Sequence, residues 1–266
     1  MRIVRGKQFK PRRVLLYGQE GVGKSTWAAG APAPYFIDCE GGVGDLDVVS
    51  SGRLNSWEEI RQVYSDLMNE PHEFKSVVID TIDWMEHLIH KEVCSKSNVD
   101  SIEKAAGGYG KGYVEAATTL QRFLASLETL MAKRQMNIVI LGHCSPVKVN
   151  NPESEQYDQW APDVHKAAAS ILREWCDEVL FASFRTFVRT ADNSAKPNQK
   201  RYLGIGDDER YIRTTRSAAV QAKNRLNLPP ELPMTWSEYA KYWPSNGSSA
   251  VVGSGENVKT GEVNHE

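Results

Sequence analysis

A stretch near the start of the chain, "GQEGVGKST" at residues 18–26, constrains the fold more than any other feature. Gly18 is followed by four residues and then by Gly23-Lys24-Ser25, directly after an apolar run. In such a loop the glycines leave backbone N–H groups free to face phosphate oxygens, and the following helix adds its positive N-terminal end. The sequence therefore predicts a strand, a phosphate-binding loop and a helix. A chance Gly-rich turn is the alternative.

We expect this loop to bind ATP together with Mg²⁺. Lys24 has the position to reach the β- and γ-phosphates, and the Ser25 hydroxyl has the position to ligate magnesium. Asp80 closes the apolar run Val77–Asp80, so it is the candidate for a second magnesium ligand acting through water. An ordinary strand-end carboxylate is the alternative for Asp80. The predicted nucleotide ligands are Gly18, Gly21, Gly23, Lys24, Ser25 and Thr26.

The pattern along residues 14–142 alternates short apolar runs with helical periodicity, which indicates an α/β fold with a mainly parallel sheet flanked by helices. Ser56 and Glu59 have capping-box spacing at the start of one helix. A longer helix runs through Leu120–Met131. The predicted core strands are Val14–Tyr17, Tyr35–Asp38, Val77–Asp80 and Ile138–Leu141. Extra C-terminal strands are predicted at Glu178–Phe184, Arg201–Ile205 and Tyr211–Thr214.

Composition limits the class of protein. A chain of 266 residues, 41% of them hydrophobic, supports one main domain, and a formal charge of −2 restricts nucleic-acid contact to local patches. No apolar run reaches membrane-spanning length and no signal peptide is evident, so we expect a cytoplasmic protein without a membrane partner.

We divide the chain into a basic N-terminal arm (1–13), an ATPase domain (14–243) and a disordered tail (244–266), whose composition is too polar to pack.

Two further side chains follow predicted strands. "YFIDCEGG" places Glu40 just past the second strand, where a carboxylate can accept a proton from an attacking water, and "IVILGH" ends in His143. Taken alone, Glu40 is equally well a solvated loop acid. Together these segments resemble the RecA family, whose second core strand ends in an Ile-Asp-x-Glu stretch with the catalytic glutamate. That resemblance implies a γ-phosphate sensor at His143, where the family usually has Gln.

The segment "AVQAKNRLNLPPELP" extends this resemblance, since Lys223 and Arg225 match the family's Lys-x-Arg pair, which reaches into a neighbouring subunit's nucleotide site. With "GGYGKGY", it makes the chain most similar to core-only RecA-like phage proteins, the Sak-type single-strand annealing proteins. The resemblance implies a homo-oligomer, as a ring or filament, in the host cytoplasm. A solvated basic strand end is the alternative for Lys223 and Arg225.

Single-stranded DNA is the partner that this resemblance implies, together with a candidate single-strand-binding protein. The family's first DNA loop corresponds to residues 101–113, here called the Gly-rich loop. Its glycines allow close approach to phosphates, whereas a mobile helix-capping loop is the alternative. The second family loop corresponds to residues 145–165, which are more acidic than basic. The candidate DNA contacts in the Gly-rich loop are Lys104, Tyr109, Lys111 and Tyr113, two cations and two rings that can stack on bases.

The leading hypothesis is a DNA-dependent ATPase that promotes annealing or strand exchange, with Lys24, Glu40, His143, Lys223 and Arg225 as catalytic residues. Two alternatives remain open at this point. One is a P-loop kinase of small molecules, although such kinases carry an arginine-rich lid and no arginine lies between His143 and Arg173. The other is a nucleotide-switched loader without recombinase activity.

Overall fold

A computed structural model describes residues 3, 10–152, 155–191 and 201–243. The predicted tail (244–266) and most of the basic arm (1–13) lie outside these residues. The strands are β1 (Arg13–Gly18), β2 (Pro34–Asp38), β3 (Val49–Arg53), β4 (Ser76–Asp80), β5 (Asn137–Val149), β6 (Tyr157–Pro162), β7 (Glu178–Ala191), β8 (Arg201–Arg213) and β9 (Glu231–Pro233). The helices are α1 (Lys24–Ala29), α2 (Trp57–Asn69), α3 (Ile82–Lys96), α4 (Lys111–Arg134), α5 (Lys166–Trp175) and α6 (Trp236–Ala240), with a 3-10 turn at Ala105–Gly107.

The sheet confirms the predicted α/β class. Its strand order is β3-β2-β4-β5-β1-β7-β8-β9, and neighbouring strands from β3 to β7 are parallel. β7 and β8 extend the sheet, as predicted for the C-terminal strands, and the pairings of β8 with β7 and of β9 with β8 are antiparallel. One strand, β5, separates β1 from β4. Because these strands are parallel, the carboxyl ends of β1, β2 and β4 lie along one edge of the sheet, where Gly18 pairs with His143 of β5.

Helices cover both faces of the sheet because the central strands are buried on both sides. Along β1, Leu15 and Tyr17 join the core that packs against α2 to α5, whereas Val14 and Leu16 join the core that contains Trp27 of α1 and Tyr239 of α6. The capping box at Ser56 and Glu59 is present as predicted. In the described ranges, no helix has both the length and the apolar character that a membrane crossing requires.

Three parts of the fold differ from the sequence predictions. The predicted strands Arg201–Ile205 and Tyr211–Thr214 are two parts of one strand, β8, which pairs with β7 across a register shift. The segment 145–165 is mostly an antiparallel hairpin of β5 and β6 rather than a loop. The sequence reading predicted neither β3 nor α3. In α3, the buried acid Asp83 interrupts the apolar face that would have revealed the helix.

Candidate nucleotide-binding and catalytic site

The phosphate-binding loop leaves β1 at Gly18 and enters α1 at Lys24, as predicted. Gly18 has no room for a side chain, because a Cβ atom there would lie 2.2 Å from the Ala182 carbonyl oxygen of β7. Gly23 has a φ of 95°, a left-handed conformation that favours glycine. Lys24 is buried, and its Nζ donates to the carbonyl oxygens of Gly18 (3.3 Å) and Gln19 (3.0 Å). The ammonium group therefore lies across the loop.

The remaining predicted loop ligands occupy the same turn. Gly21 has a φ of 69°, and a Cβ atom there would meet no other atom within 4 Å. Ser25 and Thr26 follow Lys24 in the first turn of α1. Ser25 is half-buried and Thr26 is exposed. Ser25 is therefore partly covered by the fold, whereas Thr26 is open to solvent.

Ser25 and Asp80 bring together the two predicted magnesium ligands. The Ser25 side chain hydrogen-bonds to Asp80 at the end of β4, and burial raises the pKa of the Asp80 carboxyl to about 6 against the opposing effect of this bond. The Oδ2 atom of Asp80 and the hydroxyl of Thr81 are buried and have no hydrogen-bond partner among the described residues. An orphaned carboxylate oxygen beside a hydroxyl fits Mg²⁺, which prefers oxygen ligands.

The protein itself offers few further metal ligands at this point. Across the described part of the chain, no group of three or more His, Cys, Asp or Glu side chains is arranged to hold a metal ion. Magnesium in nucleotide sites typically takes one or two carboxylates together with phosphates and waters. The Ser25 and Asp80 pair therefore fits an ion that arrives with a nucleotide rather than a self-contained metal centre.

Glu40, His143 and Asp83 form a chain of side chains beside Lys24. Glu40 follows β2, and its Oε1 lies 3.8 Å from Nε2 of His143, which lies on β5. On the other side of the imidazole ring, Nδ1 of His143 lies 2.8 Å from Oδ2 of Asp83, and the His143 backbone N–H donates to Oδ1 of Asp83 at 3.0 Å. The structure thus brings together the two predicted residues, Glu40 and His143, and adds Asp83.

The charges in this cluster act on Lys24. Burial lowers the pKa of the Lys24 ammonium, and the nearby carboxylates of Asp80, Asp83 and Glu40 oppose that change. The hydrogen bond that His143 donates to Asp83 raises the pKa of His143, whereas burial opposes this change. A cation that can meet phosphate, a half-exposed carboxylate and an imidazole therefore surround one position. This arrangement can neutralise phosphate charge and accept a proton from water.

Arg210 of β8 is a basic side chain beside the loop that the sequence reading missed. Its Nη1 lies 3.5 Å from the Val22 carbonyl oxygen. A Cβ atom on Gly23 would lie 2.9 Å from the same Nη1 atom. The Arg210 guanidinium also stacks over the ring of Phe184, at 5.6 Å. Only the antiparallel pairing of β7 and β8 brings it here, so the basic composition of residues 185–225 could not single it out.

Lys223 and Arg225 lie at the opposite end of the sheet from their own phosphate-binding loop. Lys223 pairs with Val179 near the start of β7, and its Nζ donates to three carbonyl oxygens at the end of α5. Nη1 of Arg225 donates to Asp177 at 3.0 Å. Ala182, the partner of Gly18, is five residues further along the chain from Asp177, or about 16 Å in an extended strand. Neither side chain reaches the nucleotide site of its own chain.

The Gly-rich loop holds its four candidate DNA contacts in different ways. Tyr109 is fully exposed with a φ of 53°, and Lys111 is exposed at the first residue of α4. Lys104 is exposed and pairs with Asp100 at 2.8 Å. The Tyr113 ring, in contrast, stacks on His165 with ring centroids 4.4 Å apart.

Tyr113 is therefore anchored by packing, and the glycine beside it is needed for packing as well. His90 meets the Tyr113 ring edge-on, at 5.6 Å between centroids. A Cβ atom on Gly112 would lie 2.0 Å from the carbonyl oxygen of Ile102, so no side chain fits there. One face of the Tyr113 ring is occupied, whereas Tyr109 is open to solvent on all sides.

A family model supplies the observation that decides the classification. The model of an AAA domain, AAA_24, matches residues 10–226, which include the phosphate-binding loop, Asp80 and His143. The chain belongs to this AAA domain family. The mainly parallel sheet and the phosphate-binding loop confirm the predicted α/β P-loop fold class, and an ATPase domain is the coarse function that the family supports.

Individual relatives are more distant. The SPbeta prophage-derived uncharacterized protein YorG of Bacillus subtilis (strain 168) is 21% identical over 108 residues, covering 39% of this chain and 33% of YorG. The chain thus matches about a third of that protein's length. Among solved structures, the crystal structure of the RadB recombinase aligns with 74% of this chain and 87% of its own at 14% identity, with a TM-score of 0.40.

Proposed function

We propose that this AAA domain is an ATP-hydrolysing recombination protein that binds single-stranded DNA and promotes annealing or strand exchange. The observation that carries the proposal is the grouping of Glu40, His143 and Asp80 around Lys24 at one edge of the sheet. A loop that only binds nucleotide needs no carboxylate in position to activate water. The presence of Glu40 there favours turnover.

The proposed reaction is attack of water on the γ-phosphorus of ATP, which breaks the bond to the bridging oxygen and releases ADP and phosphate. Lys24 binds the β- and γ-phosphates, and Glu40 accepts a proton from the water. Ser25 and Asp80 would hold magnesium, which would supply charge neutralisation at the phosphate oxygens. His143 lies beside Glu40, which supports its role as the γ-phosphate sensor in this proposal.

Assembly completes the site in this proposal. Arg225 has the charge that a phosphoryl-transfer transition state requires, but it lies at the far end of the sheet from its own loop, so it can act only in a neighbouring subunit. Its side chain is about half exposed and makes one ion pair, with Asp177. Asp177 keeps Arg13 as a partner if Arg225 leaves. Lys223 would have to give up three carbonyl oxygens, so Arg225 is the better candidate.

Tyr109 supports the assignment of DNA as the partner. The Tyr109 side chain is fully exposed, on a glycine-rich loop and between two lysines. Exposed aromatic rings next to positive charge are the groups on which unpaired bases stack. Lys104 and Lys111 can follow the phosphate backbone, with affinity that weakens as salt rises. Tyr113 offers one free ring face at most.

Phosphate release from ATP, measured with and without single-stranded DNA, tests the proposal. We expect turnover that single-stranded DNA stimulates more than duplex DNA does, and a loss of turnover in Lys24→Ala but not in Lys91→Ala, which changes an exposed lysine. Annealing of complementary strands is measured in parallel. DNA binding with nucleotide exchange but without hydrolysis or annealing would favour a loader. Phosphate transfer to a small molecule would favour a kinase.

A further inference from the structure

We propose that Asp83 is a positioning residue for hydrolysis: it holds Nδ1 of the His143 ring, so that Nε2 faces Glu40. This inference rests on the proposed ATPase function. Asp83 lies in the first turn of α3, three residues after the magnesium ligand Asp80. It acts through His143 and has no direct contact with the reacting atoms in the proposed reaction.

Two contacts from one carboxylate define the position of His143. Oδ1 of Asp83 accepts from the backbone N–H of His143, and Oδ2 lies 2.8 Å from the ring atom Nδ1. The first contact ties α3 to β5, and the second sets the rotation of the ring. Asp83 is only 7% exposed, so water competes little for either oxygen. An ion pair without the backbone contact would leave the ring free to turn.

The same carboxylate selects which ring nitrogen carries the proton. Ionised Asp83 has only acceptor oxygens, so Nδ1 of His143 must be the protonated nitrogen that donates to it. Burial acts to raise the pKa of Asp83, but its hydrogen bonds with His143 outweigh burial and lower that pKa. Asp83 therefore remains ionised at neutral pH, and Nε2 is left as the nitrogen that points toward Glu40.

Three charged groups face the imidazole, and their balance favours its protonated form. Asp83 from α3 and Glu40 from the end of β2 are negative, whereas Lys24 from α1 is positive and opposes protonation. The raised pKa keeps His143 charged above the usual pH range of histidine, and the charge is lost as pH rises through that raised value. A protonated ring at Nε2 can donate to a phosphate oxygen or to Glu40, which a neutral ring with Nδ1–H cannot.

The test combines Asp83→Asn with a double-mutant cycle. Asp83→Asn keeps the size of the side chain but removes the charge, so kcat should fall by about 10- to 100-fold, the range for partners that orient a functional histidine. The KM for ATP should change less than twofold, because the phosphate-binding loop is untouched. Adding Asp83→Asn to His143→Ala should cost nothing further, since Asp83 acts only through His143. Glu92→Gln, on the same helix, is the control.

Nuclear magnetic resonance of the ring nitrogens of His143 supplies a readout that does not need ATP turnover. In the unaltered protein we expect Nδ1 to remain protonated, and the titration midpoint to move to lower pH in Asp83→Asn. The alkaline limb of the kcat profile should move in the same direction. An Nε2-protonated neutral ring in the unaltered protein, or a further loss of kcat in the double variant, would overturn the proposal. If the unaltered protein lacks ATPase activity, the proposed function fails, while the resonance data still decide whether Asp83 sets the protonation of the His143 ring.

Discussion

The nucleotide site and the Gly-rich loop are built in opposite ways. In the nucleotide site the carboxylates of Asp80 and Asp83 are 2% and 7% exposed, and each is held by hydrogen bonds. In the Gly-rich loop Tyr109 is 100% exposed in a left-handed backbone conformation. The fold holds the side chains of the first region before any ligand arrives, whereas the Tyr109 side chain packs against nothing in its own chain. Substitutions should therefore change the rate in one region and affinity in the other.

The largest expected effect is on the rate of ATP hydrolysis, and it shows whether the nucleotide site is complete in one chain. Arg225→Ala should bind ATP but hydrolyse it slowly, because an arginine supplied in trans is typically worth ~10³–10⁵ in rate. Lys24→Ala has the opposite defect. Mixing the two inactive proteins should restore part of the activity, because some interfaces then pair an intact site with an intact Arg225.

Steady-state phosphate release measures this recovery, with light scattering to establish that mixed assemblies form. Arg216→Ala, an exposed arginine on the preceding segment, is the matched control and should keep full activity. Mixed assemblies that show no recovery would place the role of Arg225 within its own subunit, in its ion pair with Asp177.

The second effect concerns the Gly-rich loop. Tyr109→Ala should weaken binding of single-stranded DNA by about 1–3 kcal/mol for each base that stacks on the ring. The rate of ATP turnover at saturating DNA should stay the same, because the ring contacts nothing in the nucleotide site. Fluorescence anisotropy with a labelled oligonucleotide measures the affinity. Tyr242→Ala, at another exposed tyrosine, is the control, and an equal loss in that variant would remove Tyr109 as a specific contact.

The smallest effect separates a structural role from a catalytic one at Lys223. Its Nζ donates to carbonyl oxygens of residues 173, 174 and 176 at the C-terminal end of α5. A cation at this end of a helix contributes about 1 kcal/mol, so Lys223→Met should lower the free energy of unfolding by that amount while keeping the aliphatic stem. Urea unfolding measures it. Unchanged stability with lost ATPase activity would instead favour a role in the neighbouring subunit.

The sequence predicts those parts of the molecule that depend on a local motif. Gly18 to Thr26 and the strand ending at Asp80 require only neighbours along the chain, and the capping box at Ser56 and Glu59 is equally local. The central parallel strands were predicted because they are buried on both faces and appear as continuous apolar runs.

Contacts that depend on sheet order could not be predicted in this way. Asp83 meets His143 because β5 lies next to β4, and the residues are 60 positions apart. Arg210 meets the phosphate-binding loop because β8 returns antiparallel to β7. The stack of Tyr113 on His165 joins α4 to the start of α5, and no sequence pattern indicates that one face of this predicted DNA-binding ring is covered.

The most direct test of the central claim is ATP binding and ATP turnover measured side by side in Glu40→Gln. Glutamine keeps the shape of the side chain but cannot accept the proton of the attacking water, so turnover with single-stranded DNA should fall at least ~100-fold. ATP affinity should stay within twofold of the unaltered protein, and Glu73→Gln, which changes an exposed acid away from the site, should match it in both measurements. Unchanged turnover, or an equal loss of affinity and turnover, would contradict the assignment of Glu40 as the base.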